Sequence, residues 1–340
     1  MHKARFFKKD PDGSVRCLLC PHHCRIGEGS SGLCGARRMV EGELYSANYG
    51  LCAAAHWDPV EKKPLYHFYP GRPILSLGTV GCNLACSFCQ NWILARGNPE
   101  TDTGAITLSP KRVLEMLKNQ GGPEEVLGVA YTYNEPTVWY EFIYDTAQLL
   151  RRHGYRNVMV TNGFISVEAL TELLPFIDAF NIDLKAFTDR FYRQYCRGAL
   201  RPVLDTVKLA ASRSHVEITC LLIPTLNDDP LEIERLVDWL ASISPEIPLH
   251  ISRYFPQYQL DLPPTPLDTL RQAREIARRR LHYVYLGNVE LPGGADTFCP
   301  RCGRLLIRRH RYETSISGLD GSFCHTCRFK VRIVLPPEVN

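Results

Sequence analysis

The chain has 340 residues, 45% hydrophobic and 22% charged, which excludes a disordered or fibrous protein and leaves enough apolar material for one large core or two smaller ones. Its net charge of +4 suits acidic or phosphate-bearing partners without demanding them. The opening MHKARFFKKDPDGSVRC holds no apolar signal core, and no window approaches 18 uncharged apolar residues, so a cytoplasmic chain with no membrane span is expected.

Fourteen cysteines are many for a reducing compartment, and eleven of them fall in three compact clusters, which reads as metal binding rather than disulfides. Cys52, Cys196 and Cys220 stand alone and read as small buried hydrophobes.

Residues 1–70 form a Cys-rich segment. Cys17, Cys20, Cys24 and Cys34 lie among Pro21, Gly27, Gly29, Gly32 and Gly35, a loop-wrapped arrangement to which His22 and His23 add further donors. Zinc and an auxiliary iron–sulfur cluster both fit this spacing. The segment ends in DPVEKKPLYHFYPG, which brings Lys62, Lys63, Tyr66, His67 and Tyr69 up to the first long strand. It is either a solvated hairpin or a closure over the site beyond it.

Residues 71–290 alternate two periodicities. Apolar, β-branched runs predict strands at Ile74–Val80, Val126–Tyr133, Asn157–Thr161, Ala179–Leu184, Val216–Ile223, Leu249–Ser252 and His282–Leu286. Helical patterns lie between them at Pro110–Asn119, Thr137–His153, Val167–Leu174, Asp189–Tyr195, Pro202–Ser212, Pro230–Ser242 and Leu267–Leu281. Strands this apolar, alternating with helices, imply an α/β fold with a parallel sheet under helices. Six or seven units fall short of eight-fold closure, so the expectation is a partial, open (β/α)6-type TIM barrel with its chemistry at the C-terminal strand ends.

Directly after the first strand stands Cys82-x3-Cys86-x2-Cys89. A [4Fe–4S] cube needs four external ligands, so three thiolates leave one iron open, as a catalytic metal requires. Structural zinc sites favour paired C-x2-C instead. Later strand ends add Asn134 and Glu135, then Asn162, then Asp183 and Lys185 on one face. The fifth strand carries Glu217 and Thr219, and the sixth ends in His250, Arg253 and Tyr254, all read as pocket lining.

Residues 291–340 follow a Pro292-Gly293-Gly294 break and carry Cys299, Cys302, Cys324 and Cys327 as two C-x2-C pairs, a small zinc-ribbon or rubredoxin-like module. Four thiolates at this spacing suit tetrahedral Zn²⁺, with iron the alternative. Arg271, Arg274, Arg278, Arg279 and Arg280, with Arg301, Arg304, Arg308, Arg309 and Arg311, make this end basic. They read as a solvated face or as phosphate contacts. A metal-stabilised nucleic-acid-binding module, its central cluster structural, is therefore the rival function class.

The Cys82–Cys89 triad resembles that of the radical S-adenosylmethionine (SAM) superfamily. The resemblance implies a [4Fe–4S] cluster on Cys82, Cys86 and Cys89, and SAM held near Phe88, Asn134, Glu135, Asn162, Asp183 and Lys185. It also implies reductive cleavage to a 5′-deoxyadenosyl radical that abstracts hydrogen, with an electron donor such as flavodoxin or ferredoxin. The strings CLLCPHHC, SGLCGAR, DPVEKKPLYHFYPG, GTVGCNLACSFCQNW, AYTYNEPT, VTNGF, NIDLKAF, LLIPTLND, HISRYFPQY and YLGNV occur in order. Together they are similar to the AmmeMemoRadiSam-system branch, relatives of pyruvate formate-lyase activating enzyme. That branch implies Memo-like and AMMECR-like partners and, by analogy, a protein glycyl residue as substrate, with RNA or a small molecule as alternatives. Two departures stand out: Tyr133-Asn134 replaces the family's Gly-Gly before Glu135-Pro136, and Thr225 replaces a glycine.

Overall fold

The computed structural model describes residues 2–99, 101 and 104–336. Its centre is one sheet of eight strands: β1 Ala54–Pro59, β2 Pro73–Gly78, β3 Gly128–Tyr131, β4 Arg156–Thr161, β5 Ala179–Asp183, β6 His215–Leu222, β7 Leu249–Arg253 and β8 Val284–Gly287. Strands β2 to β8 run parallel and neighbour one another in chain order; β1 runs antiparallel along the free side of β2. The linear order leaves β1 and β8 as edges, so the barrel is open. Six helices follow β2 to β7 in turn: α1 Pro110–Gln120, α2 Tyr140–Arg152, α3 Val167–Leu173, α4 Leu200–Ala211, α5 Pro230–Ile243 and α6 Leu267–Arg278. This is the open (β/α)6-type barrel that the alternation implies, with a seventh parallel strand at its edge.

Local chemistry sets these boundaries. Ser109 caps α1 by accepting from the Arg112 N–H at 3.2 Å, and Pro110 takes the first helical position, where a missing N–H costs nothing. Asp229 and Pro230 repeat the device at α5. Every residue of β3 is buried, because helices cover one face and the barrel interior the other. The helix expected at 189–195 is a short turn, Asp189–Phe191, that widens into a π-turn, Tyr192–Cys196.

Before the barrel, two small antiparallel sheets form where a loop-wrapped segment was expected. They dock on α2 through Glu141, whose Oε1 accepts from the Arg5 N–H at 2.8 Å and from the buried Arg37 guanidinium at 2.7 Å.

The segment from Asp58 to Gly71 neither closes over the site nor lies in solvent as a hairpin. It passes beneath the sheet and fills the N-terminal end of the barrel. There Glu217, read from sequence as pocket lining, is fully buried and accepts four hydrogen bonds. Two come from the Tyr66 and His67 N–H groups, at 3.0 and 2.7 Å. The others come from His215 Nε2 at 2.9 Å and His250 Nε2 at 2.6 Å. The C-terminal strands β9 Thr297–Phe298, β10 Leu305–His310 and β11 Glu313–Ile316 pack below this plug. Arg309 of β10 is buried and donates to the Tyr66 carbonyl at 2.6 Å, so it is no part of an exposed basic face.

Burial opposes ionisation of Glu217, but His215 and His250 outweigh it and hold the carboxyl well below its ordinary range. A depressed carboxyl contributes stability that is complete above its unfolded value of about 4.3 and is lost as pH falls through the lower folded value. Glu217→Gln is therefore expected to lower unfolding free energy by about 3 kcal/mol at pH 7, a difference that shrinks toward acid pH. Urea unfolding across pH checks both the size and the sign.

Candidate active site

Strand β2 delivers the chain into the loop 79–91, which carries the cysteine triad and is held from both sides. Asn134 Oδ1 accepts from the Thr79 N–H at 3.0 Å, and its Nδ2 donates to the Gly81 carbonyl at 2.8 Å. Opposite, the Ala85 and Ser87 N–H groups donate to the Cys196 and Tyr195 carbonyls at 2.8 and 3.0 Å. Gly81 sits at φ +97°, and a Cβ there would lie 2.5 Å from the Cys34 carbonyl oxygen. No other residue fits that approach.

Cys82, Cys86, Phe88, Cys89, Asn134, Glu135, Asn162, Asp183 and Lys185 all line one cavity of about 300 Å³ at the C-terminal strand ends. The structure thus brings together the residues that the sequence singled out at separate strand ends. Glu135 is buried and already well satisfied. Its Oε1 accepts from the Thr137 N–H at 2.9 Å, the Thr137 hydroxyl at 2.7 Å and the Thr161 hydroxyl at 2.6 Å. Its Oε2 accepts from the Asn162 N–H at 2.7 Å and keeps room for one more donor. Burial pushes this carboxyl above its ordinary range. Asn162 Nδ2 donates to Asn83 Oδ1 at 2.9 Å and faces Cys82 Sγ at 3.7 Å. Lys185 Nζ pairs with Asp183 at 2.9 Å. Burial opposes its charge, but Asp183 and the thiols of Cys86 and Cys196 hold it well above the usual lysine range.

Thr219 also lines the cavity, as expected, whereas Glu217 and His250 belong to the plug. Arg253 and Tyr254 are turned away: Arg253 Nε donates to the Thr265 carbonyl and the Tyr254 hydroxyl to the Leu260 carbonyl, holding the loop after β7. Sequence reasoning missed Pro64, Asn91, Ser252 and Asn288 in the lining. Ser252 and Asn288 sit at the ends of β7 and β8, so the strand-end rule could have found them.

The three thiols are pushed above their ordinary range, Cys82 and Cys89 chiefly by burial and Cys86 chiefly by its neighbour Cys196. A thiolate is held in so buried a place by a metal. Three such thiols, beside a polar cavity with an unfilled carboxylate lone pair, fit a cluster with one open iron and a ligand with an ammonium group. The profile of the Radical SAM superfamily matches residues 76–240, from within β2 into α5. The chain belongs to the radical SAM superfamily. Membership implies a [4Fe–4S] cluster and SAM as its cofactors.

Over 341 aligned residues, covering 98% of this chain and 100% of the relative, it is 42% identical to the uncharacterized protein MJ0808 of Methanocaldococcus jannaschii. It is 24% identical to pyruvate formate-lyase 1-activating enzyme of Escherichia coli over 46% of this chain and 63% of that enzyme, so the match spans less than two thirds of the activating enzyme. Among solved structures, Streptococcus suis SuiB is similar over 68% of this chain and 52% of SuiB, at 17% identity and a TM-score of 0.49.

At the C-terminus, Cys299, Cys302, Cys324 and Cys327 place all four sulfurs within 4.8 Å of one another, with Cys299–Cys327 at 3.5 Å and Cys302–Cys324 at 3.7 Å. That is a four-thiol metal site. The N-terminal Cys17, Cys20, Cys24 and Cys34 line a separate cavity. No described helix is long and apolar enough to cross a membrane.

Gly81→Ala is expected to push the triad loop off the Cys34 carbonyl, costing about 2 kcal/mol of stability and roughly halving iron uptake on anaerobic reconstitution. Iron content beside thermal unfolding of the natural chain and the variant checks this.

Proposed function

We propose that this chain is an activase-like radical SAM enzyme that abstracts a hydrogen atom from a protein substrate, in analogy with glycyl-radical activation. The observation that carries the reading is the single cavity joining the three thiols of Cys82, Cys86 and Cys89 to Asn134, Glu135, Asn162, Asp183 and Lys185. A [4Fe–4S] cluster held by Cys82, Cys86 and Cys89 would supply, with SAM, a one-electron reductive cleavage that yields a 5′-deoxyadenosyl radical. The protein's own part is holding and shielding. Glu135 Oε2 would accept from the SAM ammonium, Lys185 and Asp183 would meet its polar groups, and Phe88 would pack against the cofactor. The buried plug closes the far end of the barrel against water.

The rim favours a polypeptide substrate. Trp92 stacks on Tyr258 with ring centroids 5.2 Å apart beside the cavity-lining Asn91, and both rings are partly exposed, as is Phe255. Exposed aromatics around a site suit a protein partner. RNA is the weaker reading, because much of the basic end is neutralised within the protein. Arg271 pairs with Asp268 at 2.7 Å, Arg280 with Asp238 at 3.1 Å and Arg311 with Glu290 at 3.4 Å. The ordered strings from CLLCPHHC to YLGNV support placement in the AmmeMemoRadiSam branch, with Memo-like and AMMECR-like partners, a flavodoxin or ferredoxin donor and a cytoplasmic setting. The C-terminal sulfur spacing supports zinc, whose bond of about 2.3 Å to sulfur puts tetrahedral thiolates about 3.8 Å apart.

The test is anaerobic reconstitution followed by dithionite and SAM. The natural chain is expected to form 5′-deoxyadenosine and Cys86→Ala to form none. Fully loaded natural protein whose cluster spectrum ignores added SAM would sink the reading. For RNA, tRNA binding at low salt that weakens steeply as salt rises would favour the second reading.

A further inference from the structure

The N-terminal cysteines surround a cavity of their own. Its wall holds Cys17, Cys20, Cys24, Cys34, Arg37 and Asn83. Two features set it apart from the C-terminal four-thiol site. The first is the spread of the sulfurs. Tetrahedral zinc draws its thiolates to about 3.8 Å of one another, and the C-terminal four sit close to that. Among the described residues, the C-terminal four are grouped at a single ion's ligand spacing, and neither the N-terminal four nor the catalytic triad is so grouped. A single ion requires the tighter grouping; a cube with one thiolate on each of four separate irons does not.

The second feature is Arg37. Its side chain is 1% exposed. Its Nη1 is paired with Glu141 at 2.7 Å, while its Nε and Nη2 are buried with no partner. Two orphaned guanidinium nitrogens are costly unless an anion meets them. A thiolate-bound iron–sulfur cube is an anion whose bridging sulfides offer acceptors in addition to the cysteine sulfurs. The backbone is prepared for thiolates as well. The N–H groups of Leu19, His22 and Ala36 face the sulfurs of Cys17, Cys20 and Cys34, each two residues on. Leu84 does the same for the catalytic Cys82, at 3.4 Å.

The two cysteine sites share a wall. His22 Nε2 contacts the Asn83 carbonyl at 2.7 Å, and Asn83 directly follows Cys82. The Cys34 carbonyl rests on Gly81, which directly precedes Cys82.

We propose that Cys17, Cys20, Cys24 and Cys34 hold a second [4Fe–4S] cluster, fully ligated by thiolates and balanced by Arg37, which relays electrons to the catalytic cluster. A low-potential one-electron carrier of the flavodoxin or ferredoxin type reduces the N-terminal cluster by one electron. That cluster is reoxidised as the electron passes to the catalytic one; no bond forms or breaks and no proton moves. The cluster assignment stands independently of the catalytic reading, whereas the relay rests on it.

The experiment counts iron, acid-labile sulfide and zinc per chain after anaerobic reconstitution. It compares the natural chain with the triple variant Cys82→Ala, Cys86→Ala, Cys89→Ala. The natural chain is expected to hold about eight irons and the triple variant about four. The reduced triple variant should give an electron paramagnetic resonance signal that SAM does not alter, since no iron is open. About four irons and two zincs in the natural chain overturn the cluster, however the variants fold. The relay is read separately, as the rate at which reduced flavodoxin reduces the catalytic cluster in Cys20→Ser, Cys34→Ser. A fall of tenfold or more is expected in this double variant. An unchanged rate with the N-terminal iron gone overturns the relay and leaves the cluster standing.

Discussion

The carboxylate of Glu217 accepts from two strands and from the segment that plugs the barrel, and the geometry of the opposite end depends on it. His215 and His250 tie it to β6 and β7, while the Tyr66 and His67 N–H groups tie it to the plug. With four donors a buried anion is satisfied rather than costly. The plug is thereby fixed, and with it Pro64, which forms part of the cavity floor. The Pro64 carbonyl accepts from Asn181 at 2.8 Å, and Asn181 accepts in turn from Thr219, itself in the lining. A continuous set of hydrogen bonds thus runs from the barrel base to the site. The C-terminal module joins the same set. The Arg309 guanidinium donates to the Tyr66 carbonyl and to Thr297, and Thr297 contacts the Tyr285 hydroxyl. That hydroxyl donates to His67 Nε2, which burial keeps neutral by lowering the imidazole to about 3. The C-terminal four-cysteine module, far from the chemistry, therefore sets the footing on which the cavity floor stands.

Two substitutions in the family pattern gain a physical account from this arrangement. Tyr133 and Thr225 stand where the resembled family has glycine, and both keep left-handed backbone, at φ +73° and +66°. That conformation costs a side-chain-bearing residue roughly 1–2 kcal/mol. Tyr133 offsets the cost by reaching down into the barrel. Its hydroxyl donates to Asp58 at 3.0 Å, and Lys63 lies over its ring at 4.8 Å. A glycine would leave that space without a bridge between mouth and plug. Thr225 belongs to a loop that braces β5 rather than approaching a ligand. Its N–H donates to Asp228 at 2.7 Å, and the Asn227 amide donates to the Lys185 carbonyl at 2.7 Å and the Leu221 carbonyl at 2.9 Å. The site tolerates the strain because these contacts over-determine the loop.

The barrel was legible because period-2 and period-3.6 patterns are local: every expected strand of residues 71–290 has a counterpart, and so has every expected helix but the one at 189–195, which is a short turn running into a π-turn. The cavity was legible for a related reason: parallel strands place all their C-terminal ends on one side, so residues far apart in sequence share an address. What stayed hidden depends on which end of the barrel a polar residue faces. Glu217 and Thr219 lie two apart on one strand and point the same way, yet one serves the plug and the other the cavity. Position along the strand separates them, and sequence alternation carries no mark of it. The plug was missed because YHFYP has no period, being shaped by the space it fills. The basic end misled because charge in sequence says nothing of pairing, and Arg309 is buried beneath a tyrosine ring.

The three cysteine clusters show the same division between local and tertiary information. The C-terminal site is assembled from two knuckles, each set by its own C-x2-C turn and brought together by short antiparallel strands. The N-terminal site has no such independence. Ser166, after β4, donates to the Leu19 carbonyl at 3.0 Å, Arg37 needs Glu141 of α2, and Asn83 of the catalytic loop completes the wall. Its sulfurs are therefore spaced by the barrel rather than by their own turns, and their separation cannot be read from C-x2-C-x3-C-x9-C. Conversely, the Cys34 carbonyl fills the space against Gly81, so the catalytic loop takes its final form with the N-terminal segment in place. The catalytic loop supplies Asn83 to the wall of the N-terminal site, and the Cys34 carbonyl packs where a Cβ on Gly81 would sit, so a change in either loop is transmitted to the other.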